Sequence, residues 1–213
     1  MRVIVIGASH AGIGFVDAMR RNGFDGELVL LDALVGQPLE RPPLSKAFLS
    51  ADGEDDGHFS LRKPDWFADN DIELVDGCRV TAVHPDARQV ETASGERMSY
   101  NRLVLAMGAT PRRLPAADGM DGVFELRHPD DAARLRAAAA DASSAIVIGG
   151  GYIGLEVAAT LAKSGKDVTV IEAAPRLLAR VASPAISAFF ADLHADNGTT
   201  VITDAGVENI TAH

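Results

Sequence analysis

One pattern occurs twice in this chain. Val3 to Asp32 reads VIVIGASHAGIGFVDAMRRNGFDGELVLLD, and Ala145 to Glu172 reads AIVIGGGYIGLEVAATLAKSGKDVTVIE. Each copy opens on a β-branched apolar run, the mark of a buried parallel strand. Each then passes through a glycine-rich turn into apolar residues at helical spacing, and closes on a second apolar run ending in an acid. Strand, turn, helix and strand in that order make the first βαβ unit of a dinucleotide-binding fold. Two copies predict an α/β protein with two Rossmann-like βαβ dinucleotide-binding domains.

The residue types suit that chemistry. A helix N-terminus carries unbonded N–H groups and partial positive charge, which suit a pyrophosphate. Glycines let the backbone approach the anion, and the last one lets helix and strand pack closely. An acid after the second strand accepts hydrogen bonds from ribose hydroxyls. Gly149, Gly151 and Gly154 fit the GxGxxG spacing with Glu172 as the acid, whereas Gly7, Ser9 and Gly12 fit it less fully with Asp32. A glycine turn without a ligand is the plain alternative for either copy alone.

Between the copies the pattern changes to short strands at 72–75, 79–83, 89–92 and 98–100, separated by turn residues. This is a small antiparallel β insertion. A further buried strand is expected at 102–106, and Pro111 and Pro115 suggest a boundary, giving domains at 1–110 and 111–213. Helices are expected over 129–140 and 184–197, with a strand at 200–202.

Composition excludes several classes of function. With 20 Lys and Arg against 30 Asp and Glu, the net charge of −10 repels nucleic acid. A single cysteine, Cys78, leaves no disulfide framework and no CxxC redox or zinc site. The apolar run Val3–Ile6 is too short for a secretory signal, and the uncharged stretch 142–155 is too short to span a bilayer. A cytoplasmic protein without membrane contact is the expectation. The six histidines, His10, His58, His84, His128, His194 and His213, show no metal-ligand spacing, so no metal is expected and they read as surface or helix-capping residues. Trp66 and Phe67 read as packing residues, Cys78 as a small core residue and the run Asp52 to Asp56 as a solvated loop.

ERPPLSK at 40–46, VIGGGYIGLEVAATLAKSG at 147–165 and RLVLAMGATPRRLP at 102–115 together resemble the ferredoxin reductase family of FAD-dependent NADH oxidoreductases, of the putidaredoxin reductase, rubredoxin reductase and dioxygenase reductase component type. The resemblance runs along essentially the whole chain. It implies that Gly7, Ser9, Ala11 and Gly12 surround the FAD pyrophosphate, with His10 touching FAD through its backbone and Asp32 on the ribose. It places Arg41 near the FAD phosphates, Lys46 beside flavin N5, Val80 on the adenine and Arg127 on the flavin. Ala106 and Gly108 belong to a further cofactor turn. Gly149, Gly151, Ile153 and Gly154 would receive the NADH pyrophosphate and Glu172 its ribose, with Tyr152 at the nicotinamide pocket mouth. Glu156 would pair with Lys46. Without its motif, Lys46 reads as a solvated helix-start lysine, whereas an acid such as Glu156 in an apolar stretch calls for a partner.

The implied activity is electron transfer from NADH through FAD to a ferredoxin-type or rubredoxin-type acceptor that serves a monooxygenase or dioxygenase. Little acid–base chemistry is then needed, and the lysine favours the anionic reduced flavin. Glu172 favours NADH over NADPH by like-charge repulsion of a 2′-phosphate, and Arg176 nearby softens that preference. Arg112 and Arg113 are docking candidates by charge, and a homodimer is compatible with the reading. Pro42, Pro43 and Leu44 stand where disulfide reductases of this fold carry cysteines, which disfavours a thiol mechanism.

Several features depart from the family. Ser9 replaces a glycine, Leu39 a tyrosine and Met107 a threonine, and the loop 33–38 is longer than usual. Both domains are incomplete relative to family members, which are roughly twice as long. Two readings are therefore carried. One is an electron-transfer flavoenzyme. The other is a truncated, non-catalytic nucleotide-binding fragment of such a reductase. A nicotinamide dehydrogenase without flavin explains less of the chain.

Overall fold

The computed structural model describes residues 1–50, 59–117 and 119–211. The run Asp52 to Asp56, His58 and His213 lie outside the described residues. The chain divides into two compact units, one of Met1–Glu40 with Asp56–Ala109 and the other of Arg41–Asp55 with Thr110–His213. The ERPPLSK element is thus split after Glu40, and most of it belongs to the second unit.

In the first unit, β1 (Arg2–Ile6), α1 (His10–Arg21) and β2 (Glu27–Leu31) form the expected βαβ element. They are followed by α2 (Pro64–Asp69), β3 (Ile72–Val75), β4 (Val80–His84), β5 (Gln89–Thr92), β6 (Arg97–Ser99) and β7 (Arg102–Leu105). The parallel sheet has the order β3-β2-β1-β7, and β4-β5-β6 form a separate antiparallel sheet. Alternate side chains of β1 and β2 point to opposite faces. Val3, Val5, Leu28 and Leu30 pack with Ile13 and Val16 of α1, Phe67 of α2 and Ile72. Ile4, Ile6, Val29 and Leu31 pack with Val90, and Val80, Met98 and Tyr100 close over them. Helices cover one face and the antiparallel sheet covers the other, which is why β1 and β2 read as unbroken apolar runs. Cys78 lies half-buried against this second cluster, and burial, then Glu96, push its thiol up.

The second unit carries a 3₁₀ turn at Pro42–Ser45, another at Pro115–Ala117, and then α3 (Pro129–Asp141), β8 (Ser144–Ile148), α4 (Tyr152–Lys163), β9 (Asp167–Ile171), α5 (Pro184–Asp196) and β10 (Thr199–Ile202). Its parallel sheet has the order β10-β9-β8. Leu155, Ala158 and Leu161 of α4 pack on Val168 and Val170, with Leu49, Leu135 of α3 and Phe190 of α5 completing the core. His194 of α5 is buried here rather than at the surface, because it lies on the inward side of its helix, and burial pushes its imidazole down. The opposite face of this sheet is open among the described residues. Ile146, Ile148 and Ile202 are 68%, 46% and 44% exposed. β8 therefore reads in sequence as a strand buried on both faces but is covered on one.

This difference has a measurable consequence. Ile4→Ala, at a fully buried position, is expected to lower unfolding free energy by about 2–5 kcal/mol in urea titrations. Ile146→Ala, on the open face, is expected to change it by no more than about 0.5 kcal/mol.

Candidate functional site

The two glycine turns have the same backbone construction. Gly7 and Gly149 adopt φ of +105° and +110°, a region that side chains disfavour. Their N–H groups donate to Leu31 O and Ile171 O, each at 2.8 Å, which ties each turn to the end of its unit's second strand. A Cβ on Gly12 would overlap the Gly7 carbonyl, and one on Gly154 would overlap the Gly149 carbonyl. A Cβ on Gly7 would overlap the carbonyl of Ala106, whose N–H donates to Ile6 O at 2.8 Å. Gly108 follows at φ +71°. The Ala106–Gly108 turn thus lies against the first glycine turn.

The middle position is different. Ser9 and Gly151 are the N-caps of α1 and α4, with φ of −106° and −86°, and their extended backbone suits any residue. A Cβ at Gly151 would meet nothing within 4 Å. Serine at position 9 therefore leaves the turn intact. His10, Ala11, Tyr152 and Ile153 are exposed in the first helical turns. Both turns present an open helix N-terminus whose geometry suits an anion.

The two acids are held differently. Asp32 Oδ1 accepts a hydrogen bond from Leu34 N–H at 3.3 Å, an interaction within its own loop. Glu172 is one methylene longer and reaches the turn. Its Oε2 accepts from Gly150 N–H at 2.6 Å and its Oε1 from Ala174 N–H at 2.7 Å. A carboxylate has about four acceptor positions, so these two bonds leave capacity for hydroxyl donors. Val80 stands at a bulge of β4 and packs into the core of the first unit.

The second unit also assembles a charged group. Lys46 follows the 3₁₀ turn, and its Nζ lies 2.8 Å from Glu156 Oε1. The buried Ser45 hydroxyl donates to Glu156 Oε2 at 2.5 Å, and the Thr160 hydroxyl lies 2.8 Å from the Ser45 carbonyl and 2.9 Å from that of Glu156. The turn and α4 are thus latched in both directions. Burial pushes the Glu156 carboxyl up, but the Lys46 and Ser45 hydrogen bonds and the lysine charge outweigh it and hold the group below its ordinary value. Lys46 is half exposed yet ion-paired, so it is more than a solvated lysine. Arg41 Nη1 donates to Arg127 O at 3.0 Å, while the buried Arg127 Nε has no protein partner among the described residues.

The expected residues therefore fall on both units. Gly7, Ser9, His10, Ala11, Gly12, Asp32, Val80, Ala106 and Gly108 lie in the first. Arg41, Lys46, Arg127, Glu156, Glu172 and the second turn lie in the second. Ser45, Thr160 and Gly150 are additions. Ser45 sits inside the motif as a small polar residue beside Lys46, and Thr160 lies one helical turn after Glu156, a spacing that puts both on one face.

Comparison with known proteins agrees with this construction. The chain matches the family "Pyridine nucleotide-disulphide oxidoreductase" over residues 1–213. It is 38% identical to rhodocoxin reductase of Rhodococcus erythropolis over 213 residues, covering 100% of this chain and 50% of that protein. It is 39% identical to putidaredoxin reductase of Pseudomonas putida over 209 residues, covering 96% and 49%. Among solved structures, a ferredoxin reductase for the CYP199A2 system from Rhodopseudomonas palustris aligns with a TM-score of 0.95 at 37% identity, covering all of this chain and 52% of the other. The reductase of a covalent putidaredoxin reductase–putidaredoxin complex aligns at 0.94 and 38% identity, with the same coverage. The chain spans about half the length of the relatives it matches. It belongs to the pyridine nucleotide-disulphide oxidoreductase family.

Proposed function

We propose that this chain supplies the FAD- and NADH-binding parts of a reductase that passes electrons from NADH through FAD to a ferredoxin-type or rubredoxin-type acceptor serving an oxygenase. The observation that carries the proposal is the pair of glycine turns with matching backbone bonds, one in each unit. A protein that binds one dinucleotide needs one such turn, whereas one that moves electrons between two needs both. Relatives at similar identity include the ferredoxin–NAD(+) reductase component of a p-cumate dioxygenase system and a rubredoxin-NAD(+) reductase, both of Pseudomonas putida.

The residues present fit the two cofactors. At the first turn a Cβ on Gly7 or Gly12 would fill the space that the backbone needs, and the exposed start of α1 offers N–H donors to a pyrophosphate. Gly7, Ser9, His10, Ala11 and Gly12 would hold FAD there, with Asp32 on its ribose, Val80 on its adenine, and Ala106 and Gly108 closing the turn. The family resemblance implies FAD contacts for Arg41 and Arg127 as well, and the Arg127 Nε, without a protein partner among the described residues, accords with that role. Gly149, Gly151, Tyr152, Ile153, Gly154 and Glu172 would hold NADH. FAD, when bound, supplies acceptance of an electron pair and its release one electron at a time.

The protein's own contribution is electrostatic. Lys46 would offer a fixed positive charge to a flavin that gains negative charge, and Glu156 keeps the lysine oriented. Ser45 and Thr160 keep Glu156 and the 3₁₀ turn in register. The acidic balance argues against nucleic acid as a partner. No described helix is long and apolar enough to cross a membrane, and a cytoplasmic location and a homodimer accord with this reading. Arg112 and Arg113 remain the candidate docking cations, although Arg113 lies 3.8 Å from Glu125. The alternative, a fragment that binds nucleotides without turnover, is favoured by the open apolar face of the second sheet.

Two experiments test the proposal. Purified protein reconstituted with FAD should show flavin absorbance that NADH bleaches anaerobically. Protein that takes up no FAD would favour the fragment reading. The ion pair is tested by comparing the native chain with Glu156→Gln across pH. Because the folded Glu156 carboxyl lies below its ordinary 4.5, its stabilising contribution is present above that value and is lost as pH falls through the depressed one. The native chain should therefore be the more stable above pH 4.5, and the two urea midpoints should converge in more acidic solution.

A further inference from the structure

The loop between β9 and α5 contains a strained residue with a definite task. Leu178 is buried and adopts φ +54°, a left-handed conformation that a leucine side chain disfavours. Its N–H donates to Gly150 O at 2.9 Å, while Gly150 N–H donates to Glu172 Oε2 at 2.6 Å. The central residue of the second glycine turn is thereby held at both its amide and its carbonyl. Leu177 packs so close to Gly150 that a Cβ there would collide with it.

Strain of this kind persists only where surrounding contacts enforce it. Arg176 supplies them. Its Nη1 donates to Ala182 O at 2.8 Å and to Ser187 Oγ at 2.7 Å, and its Nη2 donates to Ala179 O at 2.9 Å. The buried Ser187 hydroxyl donates onward to Leu177 O at 2.6 Å. Val181 N–H and Ala182 N–H close the loop on Leu178 O. The guanidinium therefore gathers the far side of the loop and the start of α5 around Leu178. A planar fork reaches three acceptors at once, which a single ammonium centre on a flexible stem does not reproduce.

We propose that Arg176 is a positioning residue of the nicotinamide-nucleotide site, holding Leu178 in its left-handed conformation and thereby fixing the Gly150 peptide between Leu178 and Glu172. The proposal rests on the reading of the second turn as the NADH site. Arg176 is committed to protein acceptors, so the cation nearest in sequence to Glu172 does not read a 2′-phosphate.

Hydrogen exchange and nucleotide binding test this with Arg176→Met, Arg176→Lys and Ser187→Ala, each checked for native circular dichroism. In Arg176→Met, exchange at the Gly150 amide should accelerate about tenfold, as expected for losing a charged hydrogen-bonding group worth about one decade of equilibrium constant. Amides of β1 in the first unit should be unchanged, which separates loosening of this loop from general destabilisation. The dissociation constant for NADH should rise by a similar factor, with Arg176→Lys giving no rescue and Ser187→Ala a smaller effect. NADPH should bind more weakly than NADH in every variant. The proposal is overturned if folded Arg176→Met leaves Gly150 exchange and NADH affinity within about twofold of native, or if it selectively abolishes NADPH binding, which would mark Arg176 as a 2′-phosphate ligand. If Arg176→Met does not fold, Arg176→Lys and Ser187→Ala decide by the same readouts. A native chain that binds neither nucleotide would sink the NADH reading, while exchange at Gly150 would still decide whether Arg176 holds the loop.

Discussion

Each unit depends on one close approach between backbone segments. Where the helix begins, the carbonyl of the first turn glycine fills the space that a Cβ on Gly12 or Gly154 would occupy. That approach lets the helix start directly above the sheet, with its N-terminus at the carboxyl end of the first strand. The N–H of the same turn glycine is bound to the end of the second strand, at Leu31 in one unit and Ile171 in the other. The acid that follows each of those strands is therefore carried to the turn by the sheet itself. Packing, anion cradle and acid are consequences of one geometric constraint, which leaves little room to vary one without the others.

Around that shared frame the two units use different means to hold the turn. In the first, Ala106 lies against Gly7, so a neighbouring strand's end buttresses the loop. In the second, the loop after β9 does so, through Leu178 and Glu172 on either side of Gly150. The extra methylene of Glu172 over Asp32 decides this. Glutamate spans the distance to the turn amide, whereas aspartate turns back on Leu34. The Lys46–Glu156 pair follows the same logic of support from behind. An exposed lysine alone would be a mobile charge, but Ser45 holds the carboxylate of its acid partner, and Thr160 ties the Ser45 backbone to α4.

The repeat, the strands and the helices other than the short α2 were legible in the sequence because they rest on local periodicity and on glycines at fixed spacing. Strands at 72–75 and 89–92 have the expected bounds, but 72–75 pairs parallel with β2 at the edge of the main sheet instead of joining the antiparallel insertion, and the ends of β10 and α5 shift by one residue. What was not legible depends on tertiary packing. Nothing local shows that Arg41–Asp55 joins the second unit, since Leu49 meets its core partners around Leu155 only after the chain has folded. His194 has the composition of a surface residue and is buried because its helix turns that side inward. Arg176 reads from its distance to Glu172 as softening the NADH preference, while its acceptors are the carbonyls three and six residues along the same loop and the Ser187 hydroxyl. Charge and proximity in sequence do not reveal which way a guanidinium points.

The contrast between the two sheets carries the argument one step further. β1 and β8 have nearly the same sequence, VIVI after Arg2 and AIVI after Ser144. In the first unit both sides of that run are covered, by helices on one and by the β4-β5-β6 sheet on the other. In the second, Ile146 and Ile148 face outward, with Ile202 of β10 on the same side. Apolar side chains at those positions gain nothing from solvent, so their presence reflects a requirement for burial that the described residues of this unit do not meet. The first unit shows what meets it on a sheet of the same construction, a three-stranded antiparallel layer. The second glycine turn is held without such a layer, by the end of β9, by Glu172 and by the loop that carries Leu177 and Leu178.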